Sequence, residues 1–200
     1  DGAGKSTIIE NVKIMIEKQL RKPVVVLRHR PSVLPIISVL FRGKKAQGSF
    51  ENTLPHSGTN KSLVSSLIRF MYYYVDYFLG QFIIFIKYTI RGYVVIYDRY
   101  YFDFIEDSKR SNLVLSKKMA FLGYKLLLKP KFNFFLFADS EIILSRKKEL
   151  DEKVINELTT NYRILFSKLD KTSNTTIYKT IENKEIDQTL DIVLQTLINR

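Results

Sequence analysis

The chain opens with the heptapeptide DGAGKST, and no other stretch constrains the fold as strongly. The pattern G-x-x-x-x-G-K-[ST] forms a loop whose backbone N–H groups enclose phosphate oxygens. Gly4, Lys5 and Ser6 fit the end of that pattern, and its first glycine would lie two residues before Asp1. We therefore expect the strand that feeds this loop, the first of the sheet, to be missing from residues 1–200, as in a chain truncated at its N-terminus.

Each residue type in this loop has an expected role. Glycines let backbone N–H groups turn toward phosphate oxygens, a lysine contacts the terminal phosphates, and a hydroxyl ligates Mg²⁺, here that of Ser6. The predicted nucleotide-binding residues are Asp1, Gly2, Ala3, Gly4, Lys5, Ser6 and Thr7. The alternative is a chance glycine-rich start of a helix, which the following K-S-T and the amphipathic segment behind it disfavour.

The composition indicates an ordinary globular chain with an anionic partner. Of the 200 residues 46% are hydrophobic, which is enough for a folded core, and the formal net charge is +12. Such a charge suits nucleotide phosphates, nucleic acid or an anionic membrane surface. The chain has no cysteine and two histidines, which excludes disulfides and thiolate metal sites and fits a cytoplasmic setting.

The hydrophobic pattern predicts alternating helices and strands. Residues 6–21 have helical periodicity, and residues 42–62 are a polar, glycine-containing stretch that predicts a loop. Short apolar runs predict strands at 24–27, 93–97, 132–138 and 175–181, and a closing helix is expected at 186–198. This alternation predicts an α/β fold with a doubly wound parallel sheet, in a single domain that covers residues 1–200.

The long apolar segment at 63–90 could form a buried helix or a membrane span. Arg69, Asp76, Gln81 and Lys87 interrupt it. Ionisable side chains are costly in the middle of a bilayer, so we favour a helix of the protein core and expect no membrane partner.

The strand at 93–97 ends in Asp98 and Arg99. Ligands of open α/β sheets bind beyond the carboxyl ends of the strands, so this pair is a candidate for the reaction centre. Asp98 would orient Mg²⁺ through water or accept the proton of an attacking oxygen, and Arg99 would hold an acceptor phosphate. The alternative is a helix cap followed by a solvated arginine.

A basic cluster, SRKKELD at 145–151, follows the strand at 132–138. Cations that close over a transferring phosphoryl group stabilise its charge, and Arg146, Lys147 and Lys148 could form such a lid. A solvated helix face is the alternative for this run.

The motifs DGAGKST, DRY at 98–100, FADSEIILSRKKELD and NYRILF occur in the order and spacing of the thymidylate kinases, which the chain resembles over most of its length. The resemblance implies a P-loop fold with a sheet of about five parallel strands, and transfer of the γ-phosphoryl group of ATP to a nucleoside monophosphate with Mg²⁺. It also implies that Arg146 is the catalytic arginine, because the loop itself has none. A homodimer through the long aromatic helix is suggested as well.

The expected acceptor-binding residues are Arg28, Arg30, Arg69, Asp76, Arg99 and Tyr100. The chain departs from the family at RHRPSVLP after the second strand and at Tyr77, where the family has an arginine. The acceptor therefore stays open between dTMP, another nucleotide and a sugar phosphate. A non-catalytic ATP-binding module is the alternative from another class, whereas no motif supports a nucleic-acid partner.

Overall fold

The structure is a computed structural model that describes residues 2–28, 62–147 and 150–198. The described residues form two compact units, one from 2–24 with 129–198 and the other from 25–128. The single domain over residues 1–200 stays a prediction. The loop predicted at 42–62 lies outside the described residues except for Ser62.

The elements alternate as the hydrophobic pattern predicts. In chain order they are α1 (Lys5–Met15), β1 (Val24–Arg28), α2 (Leu63–Ile84), β2 (Val94–Asp98), α3 (Phe102–Glu106), α4 (Lys117–Lys125), β3 (Phe132–Phe137), α5 (Ser140–Arg146), α6 (Glu152–Thr172), β4 (Ile177–Glu182) and α7 (Ile186–Ile198). Wider π-helical turns extend α1 over Ile16–Leu20 and α2 over Phe85–Thr89. The four predicted strands and the closing helix are confirmed to within two residues at each end.

The first unit is built on β3 and β4, which pair in parallel from Phe132 opposite Ile177 to Phe137 opposite Glu182. Helix α6 packs against both strands, and α1 packs against α7. Apolar side chains at helical spacing make these contacts possible: Ile8 and Val12 of α1 are buried, as is Val193 of α7. The unit therefore places the start of α1 and the carboxyl ends of two parallel strands in one compact body.

The second unit contains the pair β1–β2 and the long helix α2. One side of α2 packs into a set of aromatic rings with centroid distances of 5.1–6.4 Å. These rings belong to Phe70, Tyr73, Tyr74, Tyr77, Tyr97, Tyr100, Tyr101, Phe102, Phe104 and Tyr124. Segment 63–90 is thus a helix with one buried side, and none of the described helices has the length and apolar character needed to cross a bilayer.

The predicted sheet of about five strands is not confirmed. The strands that the structure describes pair as two separate two-stranded sheets, β1 with β2 and β3 with β4. The fold is accordingly described as mixed α/β with parallel pairing.

Candidate phosphate-binding site

Two glycines give the N-terminal loop its shape. Gly2 and Gly4 have φ angles of 83° and 78°, in the left-handed region that side chains disfavour. A Cβ atom on Gly2 would lie 3.2 Å from Cγ2 of Ile143, and one on Gly4 would lie 2.5 Å from Nδ2 of Asn183. Both backbone conformation and space therefore require glycine at position 4.

Ala3, between the two glycines, anchors the loop to the first unit. It is buried in an apolar cluster with Ala138, Ile143 and Ile155. Because Ala138 directly follows β3, this packing holds the loop at the carboxyl end of that strand. Ligands of parallel sheets bind at this end, so the loop lies where a ligand is expected.

Hydrogen bonds to the loop carbonyls set the direction of its amides. Nη1 of Arg146 donates to the Gly2 carbonyl at 3.1 Å, and Nδ2 of Asn183 donates to the Ala3 carbonyl at 2.7 Å. The described peptide bonds are all trans, so each N–H points opposite to the C=O of its own peptide group. The N–H groups of Ala3 and Gly4 therefore point away from these two side chains, and neighbouring N–H groups of this kind form an anion site.

Helix α1 begins directly behind the loop. The Gly4 carbonyl accepts the first helical hydrogen bond, from the Ile8 N–H at 3.2 Å. Lys5 is half-buried, whereas Ser6 and Thr7 are exposed in the first turn. The positive end of the helix dipole favours a phosphate at this position.

Arg146 ends α5 and lies beside the loop, and its role in a lid stays a prediction. Its guanidinium is exposed and contacts the carbonyl side of the loop, opposite the side to which the Ala3 N–H points. A direct role at a transferring phosphate would need this side chain to leave the Gly2 carbonyl. Lys148 of the predicted lid lies outside the described residues, as do Asp1 and Arg30.

In the second unit, Asp98 ends β2 and Arg99 follows with a φ of 78°. A left-handed backbone is uncommon for arginine, and such outliers concentrate at functional sites. Nη1 of Arg99 lies 3.0 Å from Oδ2 of Asp103, and both side chains are largely buried. Oδ1 of Asp98 is buried and has no hydrogen-bond partner among the residues that the structure describes. Arg99 is thus a cation held by Asp103, and it directly follows a residue with a buried carboxylate oxygen.

Two tyrosines beside this pair have structural roles. Burial raises the pKa of Tyr97 to about 12, so its phenol is neutral near pH 7 and does not act as a base there. The Tyr100 hydroxyl, predicted to bind the acceptor, donates to the Leu128 carbonyl at 2.8 Å. Asp98 is therefore the ionisable group of this stretch best suited to chemistry.

The other predicted acceptor residues differ in their surroundings. Arg28 is exposed at the end of β1, and Arg69 is partly buried in α2. Asp76 has no exposed surface. Tyr77 is buried edge-on against Tyr100 at 5.6 Å, which explains why an aromatic ring occupies this position. The loop belongs to one unit and the acceptor residues to the other, so their convergence on one nucleotide stays a prediction.

The structure adds three residues that our sequence analysis gave no role. Asp103 orients Arg99, and its i, i+4 spacing within DRYYFD is a signal that could have identified it. Asn183 donates to the Ala3 carbonyl of the loop, and Thr189 donates to Asn183. No local pattern marks these two, because Asn183 meets a residue 180 positions earlier in the chain.

The side-chain oxygens of the described residues suit Mg²⁺ that is bound together with a nucleotide. No group of three or more acidic or histidine side chains in the described part of the chain could hold a metal by itself. Mg²⁺ at phosphates needs only one or two protein oxygens besides water. The exposed Ser6 hydroxyl of the first unit is an oxygen of this type, and a metal site shared with Asp98 of the second unit stays a prediction.

Comparison with known proteins supports the fold. No family model and no curated protein sequence matches the chain. Among solved structures it is similar to thymidylate kinase from Ehrlichia chaffeensis, with 15% identity, 98% of this chain and 94% of that chain covered, and a TM-score of 0.54. At this identity the likeness concerns the fold alone, and we conclude that the chain has a thymidylate kinase-like α/β fold.

Proposed function

We propose that this chain is a Mg-ATP-dependent phosphotransferase of thymidylate kinase type that moves the γ-phosphoryl group to a nucleoside monophosphate, dTMP or a related one. The observation that carries the proposal is the loop at residues 2–4, whose glycines are left-handed and whose carbonyls are held away from the adjacent N–H groups. Lys5 and Ser6 follow at the start of α1. The likeness to a thymidylate kinase supports the proposal through the fold.

On the donor side, the N–H groups of Ala3 and Gly4 would bind phosphate oxygens and Lys5 would contact the terminal phosphates. Bound Mg²⁺ would neutralise phosphate charge, held by Ser6 and Asp98. Arg146 would leave the Gly2 carbonyl and stabilise the charge that spreads over the transferring oxygens. The residues with these roles lie on or next to the loop, except Asp98, which belongs to the second unit.

On the acceptor side, Arg99 is the candidate for the acceptor phosphate because Asp103 fixes its guanidinium. Asp98 would hold Mg²⁺ through water or accept the proton of the attacking oxygen. Tyr77 cannot supply the cation that the family places on this helix, and Asp76 is buried. These differences are the ground for the two alternatives, a kinase of another acceptor such as a sugar phosphate and a module that binds ATP without turnover.

A coupled assay of ADP release tests the proposal. The chain is incubated with ATP and Mg²⁺ and with each nucleoside monophosphate or sugar phosphate in turn. We expect turnover with at least one acceptor and none without Mg²⁺. ATP binding in the absence of turnover with every acceptor would favour the binding module, and absence of ATP binding would refute both functions.

Substitution of Asp98 by asparagine tests the acceptor side. We expect kcat to fall about a hundredfold or more, because the amide keeps the size of the side chain but neither binds a proton nor carries charge. Glu10→Gln, on the exposed side of α1, makes the same chemical change away from the proposed site and should leave kcat unchanged. Equal rates for Asp98→Asn and the wild type would remove Asp98 from the site.

We also propose that the chain forms a homodimer through one face of α2. Large apolar side chains recur on this face at alternating spacings of four and three residues, and they are 40–69% exposed. They are Val64, Ile68, Met71, Val75, Phe78 and Phe82. This spacing is that of helices that pair with a second helix of the same kind. The neighbouring tyrosines of α2 are less exposed: Tyr77 is buried, and Tyr72 and Tyr73 are half-buried.

A second copy suits this face better than other partners. The charged residues of α2, Arg69 and Asp76, lie off the apolar face, so two copies would pair without like charges in contact despite the net charge of +12. The six side chains offer roughly 500 Å² per chain, a large part of the about 800 Å² of a standard interface.

Light scattering after size exclusion tests the dimer. We expect twice the 23.5 kDa of one chain for the wild type, and a single chain for Phe78→Glu, because a carboxylate would be buried without a partner. Leu122→Glu adds the same charge at an exposed leucine of α4 and should stay dimeric. A monomeric wild type, or a dimeric Phe78→Glu, would contradict the proposal.

A further inference from the structure

Asn183 is the meeting point of three hydrogen bonds next to the phosphate loop. Its Nδ2 donates to the Ala3 carbonyl at 2.7 Å, and its Oδ1 accepts from the Thr189 hydroxyl at 2.9 Å. Its backbone N–H donates to the carbonyl of Phe137, the last residue of β3, at 2.7 Å. Asn183 is 6% exposed and Thr189 is 1% exposed, so solvent has little access to these bonds.

The orientation of the Asn183 amide follows from its partners. A backbone carbonyl only accepts hydrogen bonds, so the NH₂ group must face Ala3. The side-chain oxygen then faces Thr189, whose hydroxyl can donate. Thr189 therefore holds the amide in the single orientation that can bind the loop.

The bond to Ala3 fixes the next peptide group. The peptide bond between Ala3 and Gly4 is trans, so the Gly4 N–H points away from Asn183. Asn183 also fills the space beside Gly4, since a Cβ there would lie 2.5 Å from Nδ2. Without Asn183, Gly4 would have room to rotate, and a glycine peptide group has few steric barriers to rotation.

We infer that Asn183, held by Thr189, is a positioning residue that keeps the Gly4 N–H directed at a bound polyphosphate. The inference rests on the proposed function, because it assumes that the loop binds phosphates. The ligand class is a linear polyphosphate, whether free or as part of a nucleotide, since the Gly4 N–H recognises oxygen charge and carries no information about a base.

Calorimetric titration with tripolyphosphate tests this role, because the probe has neither base nor sugar. We expect Asn183→Ala to bind tripolyphosphate about tenfold more weakly than the wild type, which is the usual effect of losing a partner that orients a binding group. Asn183→Asp keeps the shape but cannot donate in its ionised form, and we expect at least the same loss.

Asn133 provides a matched control. It is also 6% exposed, and its Nδ2 also donates to a backbone carbonyl, that of Pro130 at 2.9 Å. It lies at the amino end of β3, away from the loop at the carboxyl end. Asn133→Ala should lower the unfolding midpoint as a buried asparagine does, yet bind tripolyphosphate like the wild type.

Two variants of Thr189 keep the test open if the Asn183 variants do not fold. Thr189→Val removes the hydroxyl at nearly constant volume and should weaken tripolyphosphate binding, whereas Thr189→Ser should bind as the wild type does. If Asn183→Ala folds and binds tripolyphosphate as tightly as the wild type, the positioning role is overturned while the proposed function stands. If only Thr189→Val folds, wild-type affinity for tripolyphosphate in that variant has the same meaning. Absence of binding by the wild type would instead refute the phosphate site and the inference together.

Discussion

Replacement of Lys5 by alanine should reduce turnover at least a hundredfold, which corresponds to about 2.7 kcal/mol of transition-state stabilisation. The lysine lies at the first helical position behind the loop, where its ammonium can reach the terminal phosphates of a nucleotide. Alanine is the best helix former, so the helix itself should not suffer from the change. The measurement is kcat with saturating acceptor, together with the unfolding midpoint.

Lys18→Ala is the control for this experiment. It removes the same charge from an exposed position in the turn that follows α1, at the far end from the loop. We expect its kcat to match that of the wild type. Loss of turnover in both variants would point to a general effect of net charge, and unchanged turnover in Lys5→Ala would exclude the site.

Replacement of Arg146 by alanine should lower kcat about a thousandfold if its guanidinium contacts the transferring phosphoryl group. KM for ATP should change little, because this contact forms only in the transition state. The alternative role is visible in the structure, where Arg146 holds the Gly2 carbonyl. Loss of that bond alone would raise KM and leave kcat nearly intact, so steady-state kinetics at varied ATP distinguishes the two.

The variant Arg146→Lys tests whether the planar guanidinium is needed in addition to the positive charge. A lysine keeps the charge but offers a single ammonium in place of the planar guanidinium, so we expect only partial recovery of kcat. Lys153→Ala, exposed on α6, is the matched control and should behave as the wild type. A wild-type kcat in Arg146→Ala would exclude this arginine from catalysis.

Local patterns were sufficient to predict the elements of the fold. The first three described strands are largely apolar runs, whereas β4 also contains Lys179, Thr180 and Glu182. The helix after the loop carries the periodicity that its buried side requires. The sheet could not be predicted equally well, because strand pairing depends on contacts between distant segments. The described residues give two pairs where a sheet of about five strands was expected.

In the candidate site too, residues of a local motif could be predicted and residues brought in by distant contacts could not. Gly2, Gly4 and Lys5 follow from a contiguous motif, whose geometry is encoded within a few residues. Asn183 follows β4, whose pairing with β3 places it beside the loop, and Thr189 contacts Asn183, so no spacing in the sequence marks these two residues. Tyr77 differs in another way: its burial among aromatic rings explains a departure from the family that the sequence alone left unexplained.

The backbone of Arg99 bears on how substitutions at this position would be tolerated. A left-handed conformation costs a residue with a side chain about 1–2 kcal/mol, a penalty that glycine does not have. Glycine would therefore suit the turn after β2 better than arginine as far as conformational energy is concerned. Arginine at position 99 therefore places its guanidinium beside Asp103 at some expense of thermodynamic stability.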